Sequence, residues 1–188
     1  ACDKISWAGS FYRKDIGARA IARLSIPPRV GVIMGSDSDL PVMEETLKIL
    51  KKFDIPYEVT IASAHRTPVA AESFAKNARK KGMGVIIAGA GHAAHLAGVL
   101  AAHTTLPVLG VPIDSSALQG LDSLLSTVQM PPGVPVATLA IGKPGAVNAG
   151  VLAAQILAVS DCELAAKLDK YKKEMADKVT KKADSIGW

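Results

Sequence analysis

The sequence predicts an α/β fold: a three-layer α/β/α sandwich around a parallel, flavodoxin-like sheet, with one extra helix at the carboxyl end. Three observations point there. From Arg29 onward, short β-like runs alternate with stretches of helical length, the rhythm of parallel strands joined by crossover helices. Some of the β-like runs are continuously apolar, as in Val85-Ile-Ile-Ala88, which fits strands covered on both faces. Apolar residues make up 49% of the 188-residue chain but aromatic residues only 4%. The core is therefore built from Ala, Val, Ile and Leu, the usual filling between a sheet and its helices.

Five strands are expected in order, at Val30–Met34, Tyr57–Ala62, Val85–Ala88, Val108–Val111 and Val136–Ile141. The amphipathic or Ala-rich segments 41–53, 69–81, 93–103, 116–128 and 145–158 read as the helices between them. A strand order of 2-1-3-4-5 follows from the flavodoxin-like rhythm. It places ligands outside the carboxyl ends of the strands, near the switch point between strands 1 and 3. After Asp161, Leu164, Leu168, Tyr171, Met175 and Val179 recur every three or four residues among Lys, Asp and Glu. That spacing predicts one long helix, with Ser160 and Glu163 as its capping box. Its apolar face covers either its own domain or a neighbouring subunit. Residues 29–160 are thus read as the catalytic domain and 161–188 as a C-terminal helix. Residues 1–28, with clustered Arg and a Pro27-Pro28 break, read by composition as a linker or flexible tail; a resemblance given below adds the remnant of an upstream domain.

The net charge of +5 suggests nucleic acid only until it is located. Residues 1–29 carry six Lys/Arg against two Asp, and 161–188 carry seven against six acidic residues, so the middle is neutral. With no basic stripe and few aromatics to stack on bases, no nucleic-acid partner is expected. No apolar run reaches the roughly 18 residues of a spanning helix, so no membrane partner is expected either. Two cysteines far apart, Cys2 and Cys162, fit a reducing, cytoplasmic compartment.

Three loops at the carboxyl ends of strands 1 to 3 carry the candidate chemistry. Gly35-Ser-Asp-Ser-Asp39 combines a tight turn, the hydroxyls of Ser36 and Ser38, and a helix N-terminus near Pro41. This suits a phosphate or ribose, or serves as a plain N-cap. In Ser63-Ala-His-Arg-Thr-Pro68, Thr67 and Pro68 fit the N-cap and first helical position. His65 and Arg66 are then left at the strand end, as a proton carrier and a fixed cation for phosphate or carboxylate. Gly89-Ala-Gly-His-Ala-Ala-His-Leu96 lets backbone amides approach a ligand closely. His92 and His95, three apart, could share a helix face and raise zinc, but no Cys, Asp or Glu lies nearby to complete a ligand set. We therefore expect no metal.

On these same strings the chain resembles a known family. Met34-Gly-Ser-Asp-Ser-Asp39, Ser63-Ala-His-Arg-Thr-Pro68, Ala88-Gly-Ala-Gly91 and Ala93-Ala-His-Leu96 are similar to 5-(carboxyamino)imidazole ribonucleotide mutase, also called the phosphoribosylaminoimidazole carboxylase catalytic subunit. Pro107–Pro112, Leu121–Ser126 and Val128–Pro131 agree as well. The resemblance implies de novo purine biosynthesis in a homo-oligomer, usually an octamer, without cofactor. The reaction is the interconversion of 5-(carboxyamino)imidazole ribonucleotide and 4-carboxy-5-aminoimidazole ribonucleotide through trapped carbon dioxide. It assigns His65 as the catalytic proton carrier. Ser36, Ser38, Asp39, Ser63, Arg66, Gly89, Ala90, Gly91, His95 and Leu96 become the substrate-binding set. His92 and Ala97 depart from the usual Gly and Pro. The ring of His92 is expected to point into solvent, with a narrowed pocket or a second proton carrier as the alternatives. The departures leave open direct carboxylation of aminoimidazole ribonucleotide by carbon dioxide. A non-catalytic binder of purine intermediates and a flavin electron carrier are the remaining readings of the fold. Phe11–Gly17 with Arg19-Ala-Ile21 resembles the carboxyl end of glycinamide ribonucleotide synthetase. This implies a fusion to other purine-pathway domains in a multifunctional enzyme, with an organellar targeting segment as the alternative.

Overall fold

A computed structural model of the chain describes residues 29–186; the linker or remnant expected at 1–28 lies outside the described residues. Five parallel strands form one sheet in the order β2-β1-β3-β4-β5, the order expected from the sequence. They are β1 (Arg29–Met34), β2 (Tyr57–Ile61), β3 (Met83–Gly91), β4 (Val108–Ile113) and β5 (Ala137–Thr138). The helices are α1 (Leu40–Lys52), α2 (Pro68–Ala78), α3 (Leu96–Ala102), α4 (Leu121–Val128), α5 (Gly142–Ala158) and α6 (Cys162–Ile186).

Alternation along the buried strands divides the core in two. Val30, Val32, Met34, Val85, Ile87, Leu109 and Val111 point to one face and pack with α1, α5 and α6. Ile33, Ile86, Ala88 and Val108 point to the other, against α2 and α3. α4 joins this second face, where the Thr127 methyl lies against Gly110 beside Ala97. On the first face α5 presents Ala146, Ala149, Gly150, Ala153 and Ala154 as a buried small-residue stripe. α1 comes close enough there for the buried Thr46 hydroxyl to donate to the Ala146 carbonyl at 2.7 Å. A Cβ on Gly150 would stand 2.8 Å from the Ile49 side chain. The low aromatic content is thus matched by close packing of small residues.

Several boundaries differ from the sequence reading, each for a local reason. β3 runs on to Gly91 because Gly89, Ala90 and Gly91 pair with Val111, Pro112 and Ile113. Gly89–Gly91 is therefore strand and not loop. α3 starts at Leu96 rather than 93, since His92 takes a left-handed φ of +53° and short turns follow it. α4 starts at Leu121 rather than 116, because Gln119 and Gly120 are both left-handed, at φ +51° and +87°. β5 pairs only at Ala137 and Thr138, a short edge following Pro135. α6 is capped by Asp161, whose carboxylate accepts from the Leu164 N–H at 3.0 Å. Ser160 is no capping residue: it sits in the turn after α5, where its N–H and hydroxyl both donate back to the Leu157 carbonyl. The first two turns of α6 pack on their own domain through Leu164 and Leu168, and Tyr171 meets Phe53 edge to face at 5.4 Å. Met175, Val179 and Ile186 stay exposed. No helix among the described residues is long and apolar enough to cross a membrane.

Candidate active site

The order β2-β1-β3-β4 sets the carboxyl ends of four strands side by side, and their loops close around a cavity of about 510 Å³. Gly35, Ser36, Ser38 and Asp39 line it from β1, and Ser63, Ala64, His65 and Arg66 from β2. Ala90, Gly91, His92, Ala93, His95 and Leu96 contribute from β3, and Ser115 from β4. Of the residues expected from the sequence, all but Gly89 lie on the wall. Gly89 sits just beneath it, where its carbonyl accepts from the Gly35 N–H at 3.1 Å and ties the first loop to the third. A Cβ there would stand 2.5 Å from the sulfur of buried Met43, so glycine allows this close approach.

The first loop opens with a single 3-10 turn, Asp37–Asp39, leading into α1. It is a reciprocal cap: the Ser38 N–H points at the Ser36 hydroxyl, and the Ser36 N–H donates to the Asp39 carboxylate at 3.1 Å. The capping reading of this string therefore holds, and the capped loop still presents both serines to the cavity. Asp39 is only 4% exposed. Burial pushes its carboxyl above the ordinary value, against backbone N–H donors at Ser36 and Gly35 and the charges of His92 and Arg66. Asp37, on the exposed side, is held below its ordinary value by the Ser36 hydroxyl and then by the Ser38 N–H.

In the second loop Thr67 precedes α2 and Pro68 opens it, as expected. The Thr67 hydroxyl turns inward, accepting from the Ser63 N–H at 2.8 Å and donating to the Ser63 carbonyl. The Ser63 hydroxyl in turn accepts from the backbone N–H groups of His65 and Arg66. These bonds fix the turn that carries both functional side chains. The Arg66 guanidinium donates to the Gly35 carbonyl at 3.2 Å, which draws it over the first loop and toward Ser36 and Ser38.

His65 Nε2 and His95 Nδ1 lie 2.8 Å apart, with the rings edge to face at 4.9 Å between centroids. One nitrogen of that pair must carry the proton that the other accepts. Backbone turns at Ala94 and His95 set the second ring in place. His92 and His95 share no helix face, because α3 begins only at Leu96. Among the described residues, no group of three or more His, Cys, Asp or Glu is disposed to hold a metal ion.

Ser115 lies on the wall although it belongs to none of the three loops, and His92 takes one of its alternative places. The His92 ring does not simply face solvent: it lines the cavity, with Nδ1 3.3 Å from the Ser115 hydroxyl. Ser115 itself follows β4 in Asp114-Ser115-Ser116, and its place after a central strand is the signal that could have found it.

A model of the AIR carboxylase family matches residues 29–178. The N5-carboxyaminoimidazole ribonucleotide mutase of Pyrococcus horikoshii is 57% identical over 171 residues, 89% of this chain and 96% of that protein. The proteins of the same name from Bacillus subtilis and Escherichia coli are 56% and 53% identical over 159 and 161 residues, covering 98% and 95% of their lengths and 85% and 86% of this chain. The crystal structure of Treponema denticola PurE superimposes with a TM-score of 0.76 at 28% identity, covering 86% of this chain and 99% of that one. By the family match and by these identities over nearly the whole of each relative, the chain belongs to the AIR carboxylase family.

Proposed function

We propose that the chain is a mutase of purine biosynthesis that interconverts 5-(carboxyamino)imidazole ribonucleotide and 4-carboxy-5-aminoimidazole ribonucleotide, with His65 as its proton carrier. The observation that carries the assignment is the His65–His95 pair, 2.8 Å apart, on the wall of a cavity that also holds Arg66 and the serine loop. Relatives more than half identical bear the mutase name, which favours this over direct carboxylation and over a non-catalytic or flavin-carrying role.

The chemistry closes on a single imidazole. Breaking the N–C bond of the carbamate releases carbon dioxide and requires a proton at the exocyclic nitrogen. Forming the new bond at ring carbon four then requires loss of that carbon's proton. His65 gives the first proton and takes the second, so it ends as it began, and no outside acid or base is consumed. Its partner His95 acts as a positioning residue that fixes ring orientation and tautomer. In this scheme Arg66 and the hydroxyls of Ser36 and Ser38 take the phosphate, with Asp39 beside the ribose. Ser63 sets the turn, and Ala90, Gly91 and Leu96 close against the base. The rate then depends on holding the freed carbon dioxide against the ring until it is recaptured, which is a matter of positioning.

The same reading includes assembly with further copies of the chain, as a homo-octamer. Leu118, Leu121, Leu125 and Val128 lie exposed near α4, and Met175, Val179 and Ile186 lie exposed on α6; surface of this kind is usually covered in an oligomer. Light scattering at micromolar concentration should give a mass several times that of one chain, and a monomer would refute the assembly. The assay for the function supplies the carbamate at low bicarbonate in one arm and aminoimidazole ribonucleotide with bicarbonate in the other. Turnover in the first arm supports the mutase. Turnover only in the second, rising with carbon dioxide, would make the chain a direct carboxylase.

A further inference from the structure

We infer that His92 is a carboxylate-binding residue of this site, holding the substrate's migrating carboxyl group from the wall on the β4 side. The inference rests on the mutase reading, which supplies a ligand with two anionic ends. It starts from the backbone. His92 has a φ of +53°, in the left-handed region where a residue with a Cβ is strained. Strain of this kind persists where the surrounding structure holds it, and it gathers at ligand sites.

The side chain shows what the strain places. His92 follows Gly91, the last residue of β3, and its ring lines the cavity beside Ser115. The Nδ1–Ser115 Oγ contact of 3.3 Å anchors the ring. Nε2 makes no hydrogen bond to any described residue and is the nitrogen left for a ligand. Carboxylates of two elements face the imidazole: Asp39 from the turn before α1 and Asp122 from α4 both feel it as a favourable charge. Arg66 acts on Asp39 as well. The cavity offers the Arg66 guanidinium and the Nε2 of His92 for ligand oxygens. Arg66 is drawn to the Gly35–Ser38 loop, where the phosphate is assigned. His92 stands beyond the Ala90–Gly91 floor, and the remaining anionic group of the substrate is its carboxylate.

The test is calorimetric titration of the wild type, His92→Gly and His92→Asn with two ligands. One is aminoimidazole ribonucleotide, which has no carboxyl group; the other is its 4-carboxy derivative. The glycine variant should bind the carboxylated ligand about tenfold more weakly, the scale of a lost hydrogen bond to a charged group. It should bind the other ligand within about twofold of wild type. Asparagine tolerates the left-handed backbone and keeps an N–H donor, so it should recover part of the difference. The glycine variant should melt no lower than wild type, since glycine relieves the strained φ. Equal weakening toward both ligands, or none toward either, would overturn the inference. A wild-type protein that binds both ligands but converts no carbamate would overturn the mutase reading instead, while the titrations still decide the role of His92.

Discussion

Replacing His95 by Phe removes one nitrogen from the His65–His95 pair and leaves a ring of comparable shape. The structure sets the expected size of the effect. His95 stands at the start of α3 but makes no side-chain capping bond, so the helix loses no cap. Both imidazoles are exposed, so no polar group is stranded in the core. The net worth of such a bond is about 1 kcal/mol when neutral and up to about 3 kcal/mol when one partner is charged. If the bond acts in the transition state, at about 1.4 kcal/mol per decade of rate, kcat should fall between about fivefold and about 150-fold. KM should stay within about threefold, because the phosphate contacts proposed for Arg66, Ser36 and Ser38 are untouched. The melting temperature should move by no more than about 3 °C. Steady-state kinetics on the carbamate with a thermal melt of the same preparation check this. A kcat within about twofold of wild type would show that the pair has no part in turnover. A raised KM at unchanged kcat would make His95 a binding residue rather than a positioning one.

Three other outcomes follow from the same geometry. Arg66→Gln should raise KM by about tenfold or more at nearly unchanged kcat, read by steady-state kinetics. Gly145→Ala would place a Cβ 1.6 Å from the Ala140 carbonyl oxygen; a fixed backbone cannot move aside, so it should cost about 3 kcal/mol and lower the melting temperature by about 6–12 °C. Asp39→Asn should show a pH signature: because burial raises the folded carboxyl above its ordinary 3.8, Asp39 supports the fold most at low pH and loses that contribution as pH rises through its folded value. The variant's stability relative to wild type should therefore improve as pH rises from below the ordinary 3.8 through the raised folded value, and denaturant titrations showing the opposite trend would contradict the assignment.

The parts of the fold set by burial could be read from the sequence. The apolar runs of β1, β3 and β4 and the Ala-rich repeats of α5 mark elements covered on their faces, and the flavodoxin-like strand order expected for them is the one observed. The carboxyl-end rule places Ser36, His65, Arg66 and His95 around one crevice, and they line one cavity in the structure. What escaped depends on single backbone torsions and on pairing at an edge. The left-handed residues His92 and Gln119 delayed α3 and α4, although neither His nor Gln announces such a conformation. Five of the six residues Val136–Ile141 are apolar, but only Ala137 and Thr138 pair, since an edge strand needs no long register. Ser115 and the His92 ring were hidden because their contact spans two strands, and no local spacing encodes it.

The central claim is that one site moves the same carboxyl carbon from nitrogen to ring carbon. Its most direct test supplies substrate labelled in the carbamate carbon to the wild-type protein in unlabelled bicarbonate, with His65→Asn alongside. The account predicts that the ring-carboxylated product keeps the label and that the variant forms no product while still binding the ribonucleotide. Product that has lost the label to the unlabelled bicarbonate pool, or a variant that turns over at the wild-type rate, would contradict it.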